Sequence, residues 1–500
     1  MAKDLRTFLA DAEARDMLYR ITKEVDPATN MAALCDESEK TILFDNVKGH
    51  PDWSVAANLA TNRDIETVAF GVDKREEVVV AMAAAMDRGP VEPKIAASAP
   101  CQDVVWEGDD ANLTRLPIAQ HSELDGGRYI GSAVGVVVDP ETGRHNTTWP
   151  RMMVGNGREC PFMIFSPHVN QIAAKYAQMG KPMPMALSIG HHPAVDIAAS
   201  ISIHHPNCGE LDYTESIQGS PFEFVKCGSS DLHVPASAEI IVEGETIPNH
   251  VQSEGPFGNY LGTYTTGPIS KDGIQKAPVF KVNRITMREK PIFRHLQASV
   301  WTEHQRLCML PMEGVLFNAL REMGVNVHDV YIPSWGGASL TIIQMTPRGP
   351  GEARDALLKA AMWENTTIGF MSQMAVAVNR DVNIYDARDL AWALTIRANW
   401  ERDANIIAGT RSSPLSPAAA KIPGVPYRLG SKTLIDATLL APQSDSEWWD
   451  YARAWPKGKG TVRLEDFVDD PKGIRVNGQE RMISHEEMLA MKPGGSRPEA

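Results

Sequence analysis

The chain has 500 residues, enough for about three domains at ~150 residues each. Its composition, 43% hydrophobic and 22% charged with 38 Gly and 34 Pro, excludes a largely disordered or low-complexity protein. A formal net charge of −14 leaves no basic surface to dominate phosphate-backbone contacts, so nucleic acid is not an expected partner. No run reaches the ~20 apolar residues of a membrane span. Met1 to Arg20 mixes Lys, Asp, Arg and Glu through its apolar positions, unlike a signal peptide, so the expected compartment is the cytoplasm. There Cys35, Cys101, Cys160, Cys208, Cys227 and Cys308, with no CxxC among them, are expected as reduced, mostly buried thiols.

In chain order, Leu5, Phe8, Leu9 and Leu18 fit an amphipathic opening helix, and strand-like pieces follow at 41–44 and 53–57. A helix is expected over 74–87, stopped by Gly89-Pro90, and a Pro-punctuated connection over 90–116. Extended segments are expected at 129–138, 146–154 and 161–165, separated by the turns Asp139-Pro-Glu-Thr-Gly143 and Gly155-Asn-Gly157. A helix begins near Pro167 and ends at Gly180, and strands are expected at 185–189, 238–242 and 279–287. Beyond 310 helices and strands alternate: helix 313–323, strand 339–345, helix 352–363, strand 374–378, helix 387–397, then a long loop over 412–426. The end, Lys492 to Ala500, is expected to be disordered. The pattern predicts a multidomain α+β / α/β protein. It comprises an N-terminal α/β unit (1–115), a β-barrel-like domain of mainly antiparallel strands (116–308), a C-terminal α/β domain (309–470) and a tail (471–500).

The common nucleotide signatures are absent, as is a GxSxG nucleophile elbow. His191-His192 and His204-His205 read as structural or surface residues before zinc ligands, because adjacent histidines rarely aim at one ion. A second constellation lies in the β-rich region: Asn146 and Arg151 on one extended segment, His168 opening a helix, Glu210 after a loop, and Glu254 in a Gly-rich run. Asn, His and Glu offer oxygen-rich ligands suited to a hard divalent ion such as Mn²⁺ or Mg²⁺. From the residues alone, capping and turn roles remain open beside that reading.

Several pieces occur in a characteristic order. They are Asn146-Thr-Thr-Trp-Pro-Arg151, Ser166-Pro-His168, the Glu210 region running into Gly219–Lys226, and Glu254-Gly-Pro-Phe-Gly258. Lys281–Thr286, Trp392–Arg397 and Lys432–Asp436 follow. Together they resemble the UbiD family of reversible decarboxylases, which use prenylated FMN. The resemblance implies a central split β-barrel-like flavin-binding domain. It also implies non-oxidative decarboxylation of an aromatic, heteroaromatic or α,β-unsaturated acid through a covalent substrate adduct with prenylated FMN, reversible under CO₂. By the same resemblance Asn146, His168 and Glu210 hold a divalent metal (Mn or Mg), and Thr147, Thr148, Trp149, Pro150, Arg151, Pro167 and Thr367 line the cofactor. Thr147, Ala199, Ser200, Ser202 and Glu210 fall near a potassium ion, with Arg397 and Asp436 as a buried pair close by. The catalytic positions are Arg151, Glu254 and Asn259, with Glu254 expected to hydrogen-bond Arg151. A flavin prenyltransferase is implied as cofactor supplier, and a homodimer or homohexamer assembled through the C-terminal domain.

Two positions depart from the family pattern. Asn259 stands where many members carry a second Glu, and an amide cannot act as a general acid; Glu254, water, His304 or Tyr260 then remain as proton donors. Thr367 stands where ferulic-type members have Lys. The first departure points towards an aromatic or heteroaromatic substrate. The rival readings are an FMN-dependent oxidoreductase on a similar barrel and a non-catalytic family member.

Overall fold

The computed structural model describes residues 3–164, 166–201, 208–264, 273–298, 301–362, 372–425, 427–459, 461–469 and 480–493. Ser202, His204, His205 and Thr367 lie outside them, as does the expected disordered end from residue 494.

The centre is a nine-stranded sheet. Its strands are β1 (Val104–Glu107), β2 (Tyr129–Ile130), β3 (Val134–Val138), β4 (His145–Thr148), β5 (Arg151–Met153), β6 (Glu159–Met163), β7 (Met183–Ile189), β8 (Ile240–Glu254) and β9 (Gln275–Met287). They run β2-β5-β6-β9-β8-β7-β3-β4, with β1 also on β9, and every pairing is antiparallel, as the period-2 patterning predicted. Alternation sends Val137, Met152, Phe162, Leu187 and Val242 to one core. Val134, Val136, Ala186 and Ile241 go to the other, where they meet Leu307 and Leu310 of a long helix. Burying each of the larger of these side chains contributes ~1.5–3 kcal/mol.

The expected continuous strands 129–138 and 146–154 are each broken in two. The second break, at Trp149-Pro150, matters most, because proline has no N–H to continue a ladder. It leaves β4 at one edge of the sheet and β5 beside the opposite edge. An extended chain covers at most ~3.6 Å per residue, so two linking residues can join these strands only if the sheet curls until its edges approach. The half-barrel follows from that link.

Three helices frame the curl: α1 (Pro167–Gln178), packed on β4, α2 (Pro193–Ala199) and α3 (Glu303–Glu322). The sequence placed the last from 313 only; it begins ten residues earlier and carries Pro311 in its interior, where proline usually ends a helix. The expected connection over 90–116 holds β1 and the strand Lys94–Ala96, the latter in a small sheet with Glu223–Lys226 and His233–Pro235.

The N-terminal unit has a four-stranded sheet whose last strand, Ile292–Arg294, comes from beyond the half-barrel. The C-terminal unit is a six-stranded mixed sheet carrying helices Glu352–Met362 and Ala387–Ile396. Its strands Ala404–Ser412 and Arg428–Ala437 went unpredicted. The segment expected as tail folds back instead: helix His485–Ala490 offers the Met488 carbonyl to Trp448 Nε1 at 3.5 Å, and Ile483 is buried. Arg63, Glu66, Arg306, Glu313 and Asp329, all buried, form one ion-pair network joining the N-terminal unit, α3 and the C-terminal sheet.

Candidate active site

Two clusters lie on either side of the Trp149-Pro150 link. In the first, Arg151 opens β5 and Glu254 closes β8. Arg151 Nη2 donates to Glu254 Oε2 at 2.6 Å, with side chains 10% and 0% exposed. Gln275, directly across the ladder from Glu254, donates its Nε2 to the same oxygen at 2.9 Å. The Arg151 guanidinium also lies 4.8 Å from the Phe257 ring centroid, a cation–π contact that holds its plane. The result is a fixed cation whose fork is suited to a carboxylate. Tyr129 stands beside the pair: burial and the Glu254 charge raise its phenol, and its hydroxyl accepts from Gly255 N at 3.1 Å.

The pair depends on the loop after β8. The preceding segment 122–129 lies against it: Asp125 Oδ1 accepts from Gly258 N at 2.7 Å and Oδ2 from Ser122 N at 3.0 Å, while Gly126 N donates to Pro256 O at 2.8 Å. Asn259, 4% exposed, accepts from Leu261 N at 2.8 Å through Oδ1 and donates to Thr263 Oγ1 at 3.1 Å through Nδ2. The amide braces its own turn.

In the second cluster Glu210 opens a short 3₁₀ turn, Glu210–Tyr213, and points at β4. Asn146 Nδ2 donates to its Oε1 at 3.0 Å; Thr147 N and Oγ1 donate to its Oε2 at 3.1 and 3.2 Å. Burial raises the Glu210 carboxyl, although its own backbone N–H and the Thr147 donors oppose the rise. Asn146 Oδ1 is buried and has no hydrogen-bond partner among the described residues. A buried carboxylate and an orphaned amide oxygen side by side fit a hard cation, which would satisfy both. His168 is the second residue of α1, whose start is set by the Ser166 cap and Pro167, and is half-buried. Among the described residues no three His, Cys, Asp or Glu side chains converge as a metal-binding group.

Thr148 is buried in the ladder opposite Gly135. Trp149 stacks on His304 with centroids 6.4 Å apart and planes 5° apart, and Tyr260 meets the same imidazole edge-on at 5.6 Å. Trp149 Nε1 and His304 Nδ1 are buried without a hydrogen-bond partner among the described residues. Burial, then the charges of His121 and Arg294, lowers His304 to about 4, and burial raises Tyr260. At neutral pH the imidazole is neutral and the phenol protonated.

Ala199 and Ser200 end α2, with Ser200 Oγ donating to Asp196 O at 3.0 Å. The expected Arg397–Asp436 pair does not form. Arg397 instead makes a two-pronged contact with Asp381 at 2.8 and 2.7 Å, and Asp436 accepts from Thr438 N and Oγ1 in its own turn. Local turn geometry captured the Asp436 carboxylate before a distant guanidinium could. His191 and His192 serve structure: the first bonds Ser188 Oγ at 3.0 Å, the second caps α2 through Ala194 N at 3.2 Å. Sequence reasoning missed Asp125, Tyr129 and Gln275. Only the turn-forming Asp125-Gly126-Gly127 carried a local signal.

Three models of the 3-octaprenyl-4-hydroxybenzoate carboxy-lyase match the chain: the N-terminal domain over residues 9–85, the Rift-related domain over 94–299 and the C-terminal domain over 306–437. The chain belongs to the UbiD family. Similar solved structures extend over nearly its full length. The UbiD-class enzyme HmfF from Pelotomaculum thermopropionicum, in complex with FMN, is 28% identical, with a TM-score of 0.81 over 93% of this chain and 100% of that one. Vanillic acid decarboxylase from Sedimentibacter hydroxybenzoicus, in an open form, is 28% identical, with a TM-score of 0.75 over 90% and 98%. A 3,4-dihydroxybenzoic acid decarboxylase from Enterobacter cloacae, 24% identical at a TM-score of 0.80 over 93% and 99%, shares the UbiD fold. The curled sheet is thus the family's architecture. No described helix is long and apolar enough to cross a membrane.

Proposed function

We propose that this UbiD member catalyses reversible, non-oxidative decarboxylation of an aromatic or heteroaromatic carboxylic acid with prenylated FMN. One observation carries the reading: only three residues, Thr148-Trp149-Pro150, separate Arg151 of the Arg151–Glu254 pair from the oxygen-rich Asn146–Thr147–Glu210 cradle. A carboxylate-binding cation and a cation-hungry cradle side by side serve an acid substrate and a phosphate-bearing cofactor together.

Prenylated FMN, when bound, supplies the electron sink that an sp² carbon losing CO₂ otherwise lacks. Asn146, His168 and Glu210 would hold a divalent ion, Mn²⁺ or Mg²⁺, at the cofactor phosphate. Thr147 to Arg151 with Pro167 would line the flavin, and Ala199 and Ser200 would face potassium. Arg151 binds the substrate carboxylate through its fork and orients the scissile bond. Glu254, steadied by Gln275, fixes that guanidinium and takes or delivers the proton at the carbon that CO₂ leaves. The wall of Trp149, His304 and Tyr260 excludes water from the site.

The test is co-expression with a flavin prenyltransferase, followed by the absorption spectrum and CO₂ release on a panel of aromatic acids. Flavin-dependent CO₂ release supports the reading. A flavin-loaded protein that instead transfers hydride, and releases no CO₂, overturns it.

A further inference from the structure

Beyond Glu254 the chain leaves the sheet, and segment 122–129 packs against it. Contact is at backbone distance. A Cβ on Gly126 would sit 2.2 Å from Gly255 O, so no other residue fits there, and a Cβ on Gly258 would sit 2.6 Å from Ser122 Oγ. Across this seam run Gly126 N to Pro256 O at 2.8 Å, Gly255 N to the Tyr129 hydroxyl at 3.1 Å, Leu124 N to the Tyr264 hydroxyl at 2.9 Å, and Gly258 N to Asp125 Oδ1 at 2.7 Å. Only the last has a carboxylate acceptor, and a charged acceptor makes a bond roughly twice as strong as a neutral one. The other Asp125 oxygen is tied to Ser122 N at 3.0 Å, so the carboxylate cannot swing away from the seam.

We propose that Asp125 is a positioning residue of the reaction, clasping the loop that joins Glu254 to Asn259 and thereby setting the aim of the Arg151–Glu254 pair. The role rests on the reading of that pair as the catalytic one. Two further observations support it. Gly258 follows Phe257, whose ring carries the Arg151 guanidinium at 4.8 Å, so a shift at Gly258 passes directly to Arg151. Burial brings the Asp125 carboxyl up to about 6 against the pull of Gly258 and Ser122 N–H and of Arg151, with Glu254 adding to the rise, which places both catalytic charges within its field. Asp125 has no role in bond making; it acts through Gly258 and Phe257.

The experiment compares wild type, Asp125→Asn and Asp125→Ala as full-length chains in two measurements. In the first, amide hydrogen exchange over residues 255–262 of cofactor-free protein is expected to be at least ~10-fold faster in Asp125→Ala, with the C-terminal sheet unchanged. Unchanged exchange in that loop overturns the clasp. In the second, flavin-loaded Asp125→Ala is expected to keep its flavin spectrum and bind substrate with a similar KM, while kcat falls by ~10²-fold, the cost of about 1 Å of misplacement. Asp125→Asn, which keeps one acceptor, is expected to lie between. A kcat equal to wild type despite faster exchange overturns the positioning role, as does a fall in kcat that only tracks loss of flavin. Wild type that releases no CO₂ from any acid defeats the catalytic reading of the site, and the exchange comparison then decides the clasp by itself.

Discussion

Asn259 and Thr263 grip each other twice: Asn259 N donates to Thr263 O at 2.9 Å, and its Nδ2 donates to Thr263 Oγ1 at 3.1 Å. The residue expected in place of a second Glu is therefore built into a turn. Asn259→Ala is expected to cost ~1 kcal/mol of stability per lost hydrogen bond. Its kcat should stay within about tenfold of wild type, well short of the ~10²–10⁴ attributed to a positioned acid. Thermal melts and steady-state kinetics measure both. A loss of ~10²-fold or more would show that Asn259 serves the reaction beyond bracing its own turn.

Glu210→Gln keeps the shape of the cradle and removes its charge. Asn146 Nδ2 at 3.0 Å and the Thr147 donors then face an amide in place of a carboxylate. Manganese retained by the flavin-loaded protein after desalting is expected to fall at least ~10-fold. Metal content equal to wild type would remove Glu210 from the ligand set.

Much of this site was legible because its chemistry is local. Asn146, Thr147 and Arg151 fall in one short motif, Ser166-Pro167 announces the helix that carries His168, and Glu254 sits in a run with its own pattern. What was not legible is long-range. The extended stretch 146–154 looks continuous, and nothing in its β-branched pattern says that Trp149-Pro150 sends its halves to opposite sides of a sheet. Proline usually ends a helix, yet α3, packed on the helix Arg75–Arg88, runs through Pro311. Arg397 could pair with any acid the fold brings near; Asp381, not Asp436, is the one. Asp125 carried only a turn signal, since its partner Gly258 lies 133 residues away.

Burial pushes the Asp329 carboxyl up to about 7, although Arg63 and the Tyr385 hydroxyl, which donates to it, act the other way. The folded protein thus holds this proton more tightly than the unfolded chain, where the value is ~3.9. The group's stabilising contribution is full below about pH 4 and is lost as pH rises through about 7. Asp329→Asn has no such proton to lose. Its stability relative to wild type is expected to improve by at least ~1 kcal/mol between about pH 5 and about pH 8 in denaturant titrations. A difference independent of pH would contradict the assignment.

Strand Ala404–Ser412 lies at the edge of the C-terminal sheet with Ile406 70% exposed, and Ile396 and Trp400 are 67% and 55% exposed nearby in sequence. An open edge with large apolar side chains invites a second copy. The chain is expected to assemble with itself through this edge, and Ile406→Asp to leave it monomeric, in light scattering at micromolar concentration. A wild-type monomer, or a variant that still assembles fully, would place the interface elsewhere or abolish it.

The most direct test of the account is CO₂ release by wild type and Glu254→Gln, each co-expressed with a flavin prenyltransferase and shown to carry equal flavin. Glu254→Gln is near-isosteric and removes the charge that meets Arg151 at 2.6 Å together with the titratable proton. The account predicts flavin-dependent CO₂ release by wild type, a fall of at least ~10²-fold in the variant, and a parallel loss of deuterium incorporation into product. Equal CO₂ release by the two proteins would contradict it.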